Sequence, residues 1–129
     1  MSSMTQALKD ALAAAVFRNA PYKSPSALYV GLFLKSPAQL DGGEEVSAPG
    51  YARALVTFGA DLRNLRSVEF PMALGFWGLV KHFGIFDAPS GGGLLVYAEL
   101  DDERLVSRGI HFVFEPGAIS VGYEVGGAA

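Results

Sequence analysis

The stretch Leu79-Val80-Lys81-His82-Phe83-Gly84-Ile85-Phe86-Asp87, then Ser90-Gly91-Gly92-Gly93, then Leu94-Leu95-Val96-Tyr97-Ala98-Glu99-Leu100, decides how this chain is read. Val80, His82, Gly84 and Phe86 alternate with Leu79, Lys81, Phe83 and Ile85. That is the period of two which places successive side chains on opposite faces of a strand. The glycine run supplies backbone with positive φ at no steric cost, so it predicts a turn and makes residues 94–100 the hairpin partner.

The same alternation recurs on either side. Leu28, Val30, Leu32 and Leu34 alternate with Tyr29, Gly31 and Phe33, so both faces are apolar and the strand is expected at the centre of a sheet or at an interface. Residues 51–58 set Ala52, Ala54, Val56 and Phe58 against Tyr51, Arg53, Leu55 and Thr57, and a short strand over 68–70 is stopped by Pro71. An apolar bend over 72–78 follows and contains Trp77. Downstream, Asp101 to Glu103 reads as a polar turn, 105–107 as a short strand, and Arg108-Gly109 as a turn. A last hairpin is expected from 110–115 and 119–125 across Pro116 and Gly117, before a small, loose tail over 126–129. About eight short strands at these spacings predict a mainly β fold, an antiparallel β-sandwich with jelly-roll and immunoglobulin-like topologies both open.

Only the N-terminus has a helical period. Ser3 and Gln6 have capping-box spacing, and Leu8, Leu12, Ala15 and Val16 make one apolar stripe edged by Lys9, Asp10 and Arg18. This predicts a helix over 4–18, ended by Asn19, Pro21 and Pro25, whose apolar face is bound to something. The chain divides accordingly into an amphipathic helix, 1–20, and a β-sandwich domain, 21–129. Between the first two strands, residues 36–50 carry Pro37, Asp41, Gly42, Gly43, Glu44, Glu45, Pro49 and Gly50, the composition of a long exposed loop available for contacts.

Composition narrows the function. With 129 residues, of which 50% are hydrophobic and only 18% charged, the chain can build one core but cannot hide all of its apolar surface. Some of that surface is expected in subunit contacts, and a light-scattering mass equal to the monomer at micromolar concentration would count against it. A net charge of -3 with basic residues scattered along the chain gives no footprint for nucleic acid. The absence of cysteine excludes disulfides, thiolate zinc sites and a cysteine nucleophile, and suits folding in a reducing cytoplasm. The apolar run 11–17 is too short and too charged at its edges to span a membrane, and Asp10 sits where a signal peptide carries positive charge.

Motifs for chemistry are missing. His82 and His111 stand alone within strands, without the second ligand that zinc motifs supply. Asp41, Glu44 and Glu45, and Asp101, Asp102 and Glu103, lack the register of a calcium loop and read as solvated turns. The triple glycine lacks the Lys-Ser or Lys-Thr of a phosphate loop, and no Gly-x-Ser-x-Gly elbow occurs. The reading is therefore a non-enzyme with no catalytic, cofactor-binding or metal-binding residue. The aromatic residues are expected mostly in the core. Trp77, beside Phe76 in a glycine-flanked bend, is read first as a core plug and second as a platform for a sugar or a partner. The residues expected at interfaces are Leu8, Leu12, Val16, Tyr29, Phe33, Tyr51, Phe76 and Trp77.

The segments Ala27-Leu28-Tyr29-Val30-Gly31-Leu32-Phe33, Gly50-Tyr51-Ala52-Arg53, Val68-Glu69-Phe70-Pro71, Trp77-Gly78-x-Val80-x-His82-Phe83-Gly84-Ile85-Phe86-Asp87-Ala88, Ser90-Gly91-Gly92 and Pro116-Gly117-Ala118 resemble a family of small structural proteins of tailed bacteriophages, often labelled tail-fibre-like. The resemblance implies a virion component made in the host cytoplasm, tail-associated or capsid-decorating. Its expected partners are copies of itself and other virion proteins, with no nucleic acid and no membrane. No coiled-coil heptads or glycine-rich shaft repeats occur, so a short structural or adaptor protein is expected rather than a fibre proper. The alternative is a carbohydrate-binding module that uses Trp77 and Tyr51 against a host-surface glycan.

Overall fold

The computed structural model describes residues 3–22, 24–37 and 43–121. The elements in order are β1 (Ser3–Met4), α1 (Gln6–Phe17), β2 (Leu28–Lys35), β3 (Glu44–Glu45), β4 (Ala54–Val56), β5 (Val68–Glu69), β6 (Gly78–Phe86), β7 (Leu94–Val106) and β8 (Val113–Phe114). One six-stranded sheet runs β1-β7-β6-β2-β3 with β4 also beside β2, and β5 and β8 form a second sheet. All the pairings are antiparallel. The protein is mainly β with one N-terminal helix, as its alternation predicts.

The core lies between the two sheets. Val30, Leu32, Val80, Phe83, Ile85 and Val96 point inward from the large sheet and meet Val68, Phe70, Phe112 and Ile119. Aromatic edges fill it: Phe83 packs on Phe114 across the layers at 5.5 Å, and Phe70 meets Phe112 edge-on at 5.7 Å within the second. Rings that present an edge to a neighbour's face gain beyond their buried area. β2 is central, with β6 on one side and β3 and β4 on the other, which explains why both of its faces are apolar.

Several local expectations give way. The helix starts later: Thr5, not Ser3, is the N-cap, because Ser3 and Met4 pair with Tyr97 and Val96 as a strand. Thr5 Oγ1 takes the Leu8 amide and donates to the Leu94 carbonyl, so one side chain both caps the helix and ties it to the sheet. Gln6 reaches forward to Asp10 instead of back. Asn19 ends the helix with φ 53, the left-handed conformation that asparagine tolerates.

The loop expected over 36–50 contains β3, where Glu45 pairs with Phe33 and Glu44 with Lys35. Asp41 and Gly42 lie outside the described residues. Only Ala54–Val56 of the strand expected over 51–58 is paired. Asp101 to Glu103 is not a turn, since β7 runs on to Val106 and absorbs the short strand expected at 105–107. The register explains it: Val80 pairs with Arg104 and His82 with Glu99, so Leu100 to Glu103 bulge out opposite Lys81 alone. The last hairpin does not form as expected. β8 pairs with β5, while Ile119 and Val121 bond to Asn64 and Leu62. Residues 122–125 and the tail over 126–129 lie outside the described residues.

Candidate interaction site

Between β3 and β4, the Leu32 carbonyl of β2 takes the Val46 amide, and the Leu32 amide is left to a side chain. The Tyr51 hydroxyl accepts the Leu32 amide at 3.0 Å and donates to Glu45 Oε2 at 2.6 Å. Arg53 meets the same carboxylate through both prongs of its fork, Nε to Oε2 and Nη2 to Oε1, each at 2.9 Å. Its remaining nitrogen, Nη1, donates to the carbonyls of Ala88 at 2.9 Å and Gly91 at 2.8 Å, and its guanidinium lies 3.5 Å above the Phe86 ring. The cluster therefore fastens the β3 hairpin and the turn after β6 to the middle of the sheet.

Electrostatics follow from that packing. Burial, then the hydrogen bond to Glu45, pushes the Tyr51 phenol far above its ordinary pKa, and the bond to Glu45 raises that of Arg53. Gly31 makes room, since a Cβ there would lie 2.8 Å from both Glu45 Oε2 and Phe86 Cε1. Gly84, its partner across the strands, leaves space for Phe33, which stacks on Phe86 at 5.9 Å. Gly31, Tyr51-Ala52-Arg53, Phe86-Asp87-Ala88 and Ser90-Gly91-Gly92 thus converge on one structural clamp. Asp87 closes the turn by accepting the Gly93 amide at 2.7 Å.

Trp77 lies behind the clamp. It is 2% exposed, meets Tyr51 edge-on at 5.3 Å and donates Nε1 to the Pro49 carbonyl at 3.0 Å. It is a core plug and has no face to offer a sugar. Phe33 is buried likewise. Of the other residues expected at interfaces, Tyr29 and Tyr51 are half-buried, the latter inside the clamp; Leu8 packs partly on the core; and Leu12 is half-buried on a helix none of whose side chains is fully buried. Val16 and Phe76 are exposed, at 72% and 66%.

Phe76 belongs to a set. In the bend before β6, Ala73 and Trp77 point inward while Met72, Leu74 and Phe76 are all more than half exposed, and Ile110 in the facing loop is partly so. The backbone beneath them is pinned: Ala73 donates to the Ile110 carbonyl, Leu74 to Pro49, Gly109 to Ala73, and Trp77 to Val106. Polar spacing gave no signal for this patch, although the alternation of Met72, Leu74 and Phe76 was visible in the sequence. Phe17 at 84% exposure and Leu55 at 60% add separate apolar positions.

Two other features bear on chemistry. His82 Nε2 lies 3.8 Å from Glu99 and its Nδ1 has no hydrogen-bond partner, while His111 lies 3.8 Å from Glu69. Among the described residues no three His, Asp or Glu side chains gather around a point where a metal would sit. Asn64 escaped the sequence reading: its buried amide bonds to the carbonyls of Arg66 and Glu115 and to the Ile119 amide, stapling the C-terminal segment to the 61–66 loop.

The structure thus offers a braced scaffold with apolar side chains held outward. A family model described as podophage GP4 fiber I protein gp80 matches residues 3–122. The chain belongs to that family. It is accordingly a phage virion structural protein of the fibre class, and membership of the fiber I family implies association with other virion proteins. No curated protein matches the chain.

Proposed function

We propose that this fiber I family member is a tail-associated structural component that acts only through protein-protein contacts. On this reading the apolar end formed by Met72, Leu74, Phe76 and Ile110 is buried against a neighbouring virion subunit, a further copy of the chain or another protein of the particle. One observation carries it. Large apolar side chains on a backbone fixed by at least four hydrogen bonds cannot fold back into the core, so only a neighbour removes them from water.

The N-terminal segment, 1–20, is read as a contact element fixed to the 21–129 domain: Ser3–Met4 and Thr5 tie it to the large sheet, while α1 buries no side chain fully and ends in the exposed Val16 and Phe17. The sugar-binding alternative loses its anchor with Trp77 inside the core.

The test is particle incorporation together with solution mass. Leu74→Ser with Phe76→Ser should leave a folded protein that is missing from purified particles and has a lower light-scattering mass than the native protein. Normal incorporation of this variant would remove the apolar end from the contact.

A further inference from the structure

Two exposed apolar sets lie toward opposite ends of the large sheet. Thr5 starts α1 on the Leu94 and Leu95 carbonyls, at the end of β6 where Phe86 pairs with Leu94. The bend carrying Met72, Leu74 and Phe76 precedes Gly78, at the other end of the same strand. β6 has nine residues, so roughly 26 Å separates its ends at about 3.3 Å per residue. Contact between like surfaces covers one of these sets, whereas head-to-tail contact covers both.

The two sets also match in charge and spacing. On α1, Gln6, Asp10, Ala13 and Phe17 are all exposed and recur at steps of three and four, so they form one stripe. Asp10 and the exposed Arg18 bracket its apolar part, Ala13, Val16 and Phe17, about 12 Å apart at 1.5 Å per residue. At the bend, Glu69 pairs with Val113, Phe70 donates to the Phe112 carbonyl, and Gly109 donates to the Ala73 carbonyl, so the two segments run antiparallel. The exposed Glu69 and Arg108 therefore bracket Met72 and Ile110 at about four or five rungs, roughly 15 Å. Two long arginine side chains close the difference. A bend laid on its own copy offers Arg108 no acidic partner within residues 72–79 or 105–110, whereas α1 offers Asp10.

We propose that the exposed stripe of α1 in one copy docks head to tail on the apolar end of the next copy. Val16 and Phe17 sit among Met72, Leu74, Phe76 and Ile110, with Asp10 toward Arg108 and Arg18 toward Glu69. The inference rests on the reading of the apolar end as an interface and names its occupant. Because the two surfaces differ, a docked pair keeps one of each free, and the contact repeats into a ring or an open row.

The test mixes two variants of the full chain. Val16→Ser with Phe17→Ser removes the stripe, and Leu74→Ser with Phe76→Ser removes its seat. The native protein should give a light-scattering mass that grows with concentration. Each variant alone should stay a monomer, and an equal mixture should stop at the dimer, because one intact pair of surfaces remains. Self-association of the stripe variant alone would overturn the proposal, since the seat would then bind itself. So would a mixture that stays monomeric. A monomeric native protein whose seat variant is still lost from particles would also overturn it, making the occupant another virion protein and leaving the proposed function standing. Normal incorporation of the seat variant would remove the interface reading itself. Charge reversal keeps the proposal testable if a serine variant fails to fold. Arg18→Glu and Glu69→Arg should each weaken association about tenfold, and the two together in one chain should restore it. A double variant as weak as the singles would overturn the proposal.

Discussion

The clamp around Arg53 and the bend carrying Phe76 are both held rigidly, yet they end in opposite ways. In the clamp, hydrogen bonds terminate in one another: Tyr51, Glu45, Arg53, the Leu32 amide and the carbonyls of Ala88 and Gly91 all find partners within the chain. In the bend, only the backbone is partnered, and Met72, Leu74 and Phe76 stand in solvent. The first region satisfies its polar groups within the chain, and the second leaves large apolar groups to water. Polar groups near the middle of the sheet therefore work for the fold, and the apolar groups at its end are free to work for assembly.

Breaking the clamp should give the largest effect. Glu45→Ala leaves the Arg53 side chain, 8% exposed, without its counter-charge and the Tyr51 hydroxyl without its acceptor. The expected cost is about 3 kcal/mol in urea unfolding, most of it the penalty of an unpaired charge removed from water. Glu45→Leu with Arg53→Met should cost less than Glu45→Ala, because it removes both charges together. If Glu45→Ala cost well under 1 kcal/mol, the clamp would be no more important to the fold than the bend.

A subtler break is Gly31→Ala. The added methyl would press on Glu45, on Phe86 and, at 3.1 Å, on the Tyr51 hydroxyl, none of which can move without opening the clamp. Overpacking of this kind costs about 2 kcal/mol. Gly91→Ala meets no atom within 4 Å and strains only its own backbone at φ 63, so it should cost less.

Much of this architecture is legible in the residues and some of it is not, for identifiable reasons. The period of two in residues 79–100 finds the β6-β7 hairpin because alternation directly reflects two faces. It cannot see that Asp101 to Glu103 continue a strand, since three acids look the same in a bulge as in a turn. Ser3 has the better capping spacing, but pairing of Ser3 and Met4 with β7 overrides it and hands the cap to Thr5. Glu45 reads as loop and Arg53 as one of two alternating faces of a strand, because nothing local reveals that they meet across eight residues. Trp77 is read first as a core plug and is buried, but the partners that hold it, Pro49 and Tyr51, arrive from elsewhere in the fold and are not legible from the bend itself.

Alkaline pH offers a gentler probe of the same clamp. Because the folded state holds the Tyr51 proton more tightly than the unfolded chain, whose phenol has the ordinary value of 10.0, this contribution is whole below about pH 10 and is lost as pH rises above it. Tyr51→Phe should cost about 1 kcal/mol at pH 7, where a hydrogen bond to a carboxylate is removed and the Leu32 amide loses its acceptor. The gap between native and variant stability should narrow as the pH is raised past 10. A constant gap across that range would mean that the phenol is neither shielded from water nor held by Glu45, and that this part of the clamp is looser than its geometry implies.

The smallest effect on stability should come from the other region, and there a small number is the informative one. Phe76 is two-thirds exposed, its ring does not belong to the buried cluster, and the bend is fixed through backbone groups that a serine would leave in place. Phe76→Ser should therefore change unfolding free energy by no more than about 0.5 kcal/mol in the dilute protein. In the assembly proposed above, the same change should lower the apparent stability, because contacts made only in the assembly add to stability by mass action. A substitution that is silent in the monomer and costly in the assembly would separate what the bend does for the fold from what it does for the particle. A cost above about 2 kcal/mol in the dilute protein would place Phe76 with the clamp and erase the contrast between the two regions.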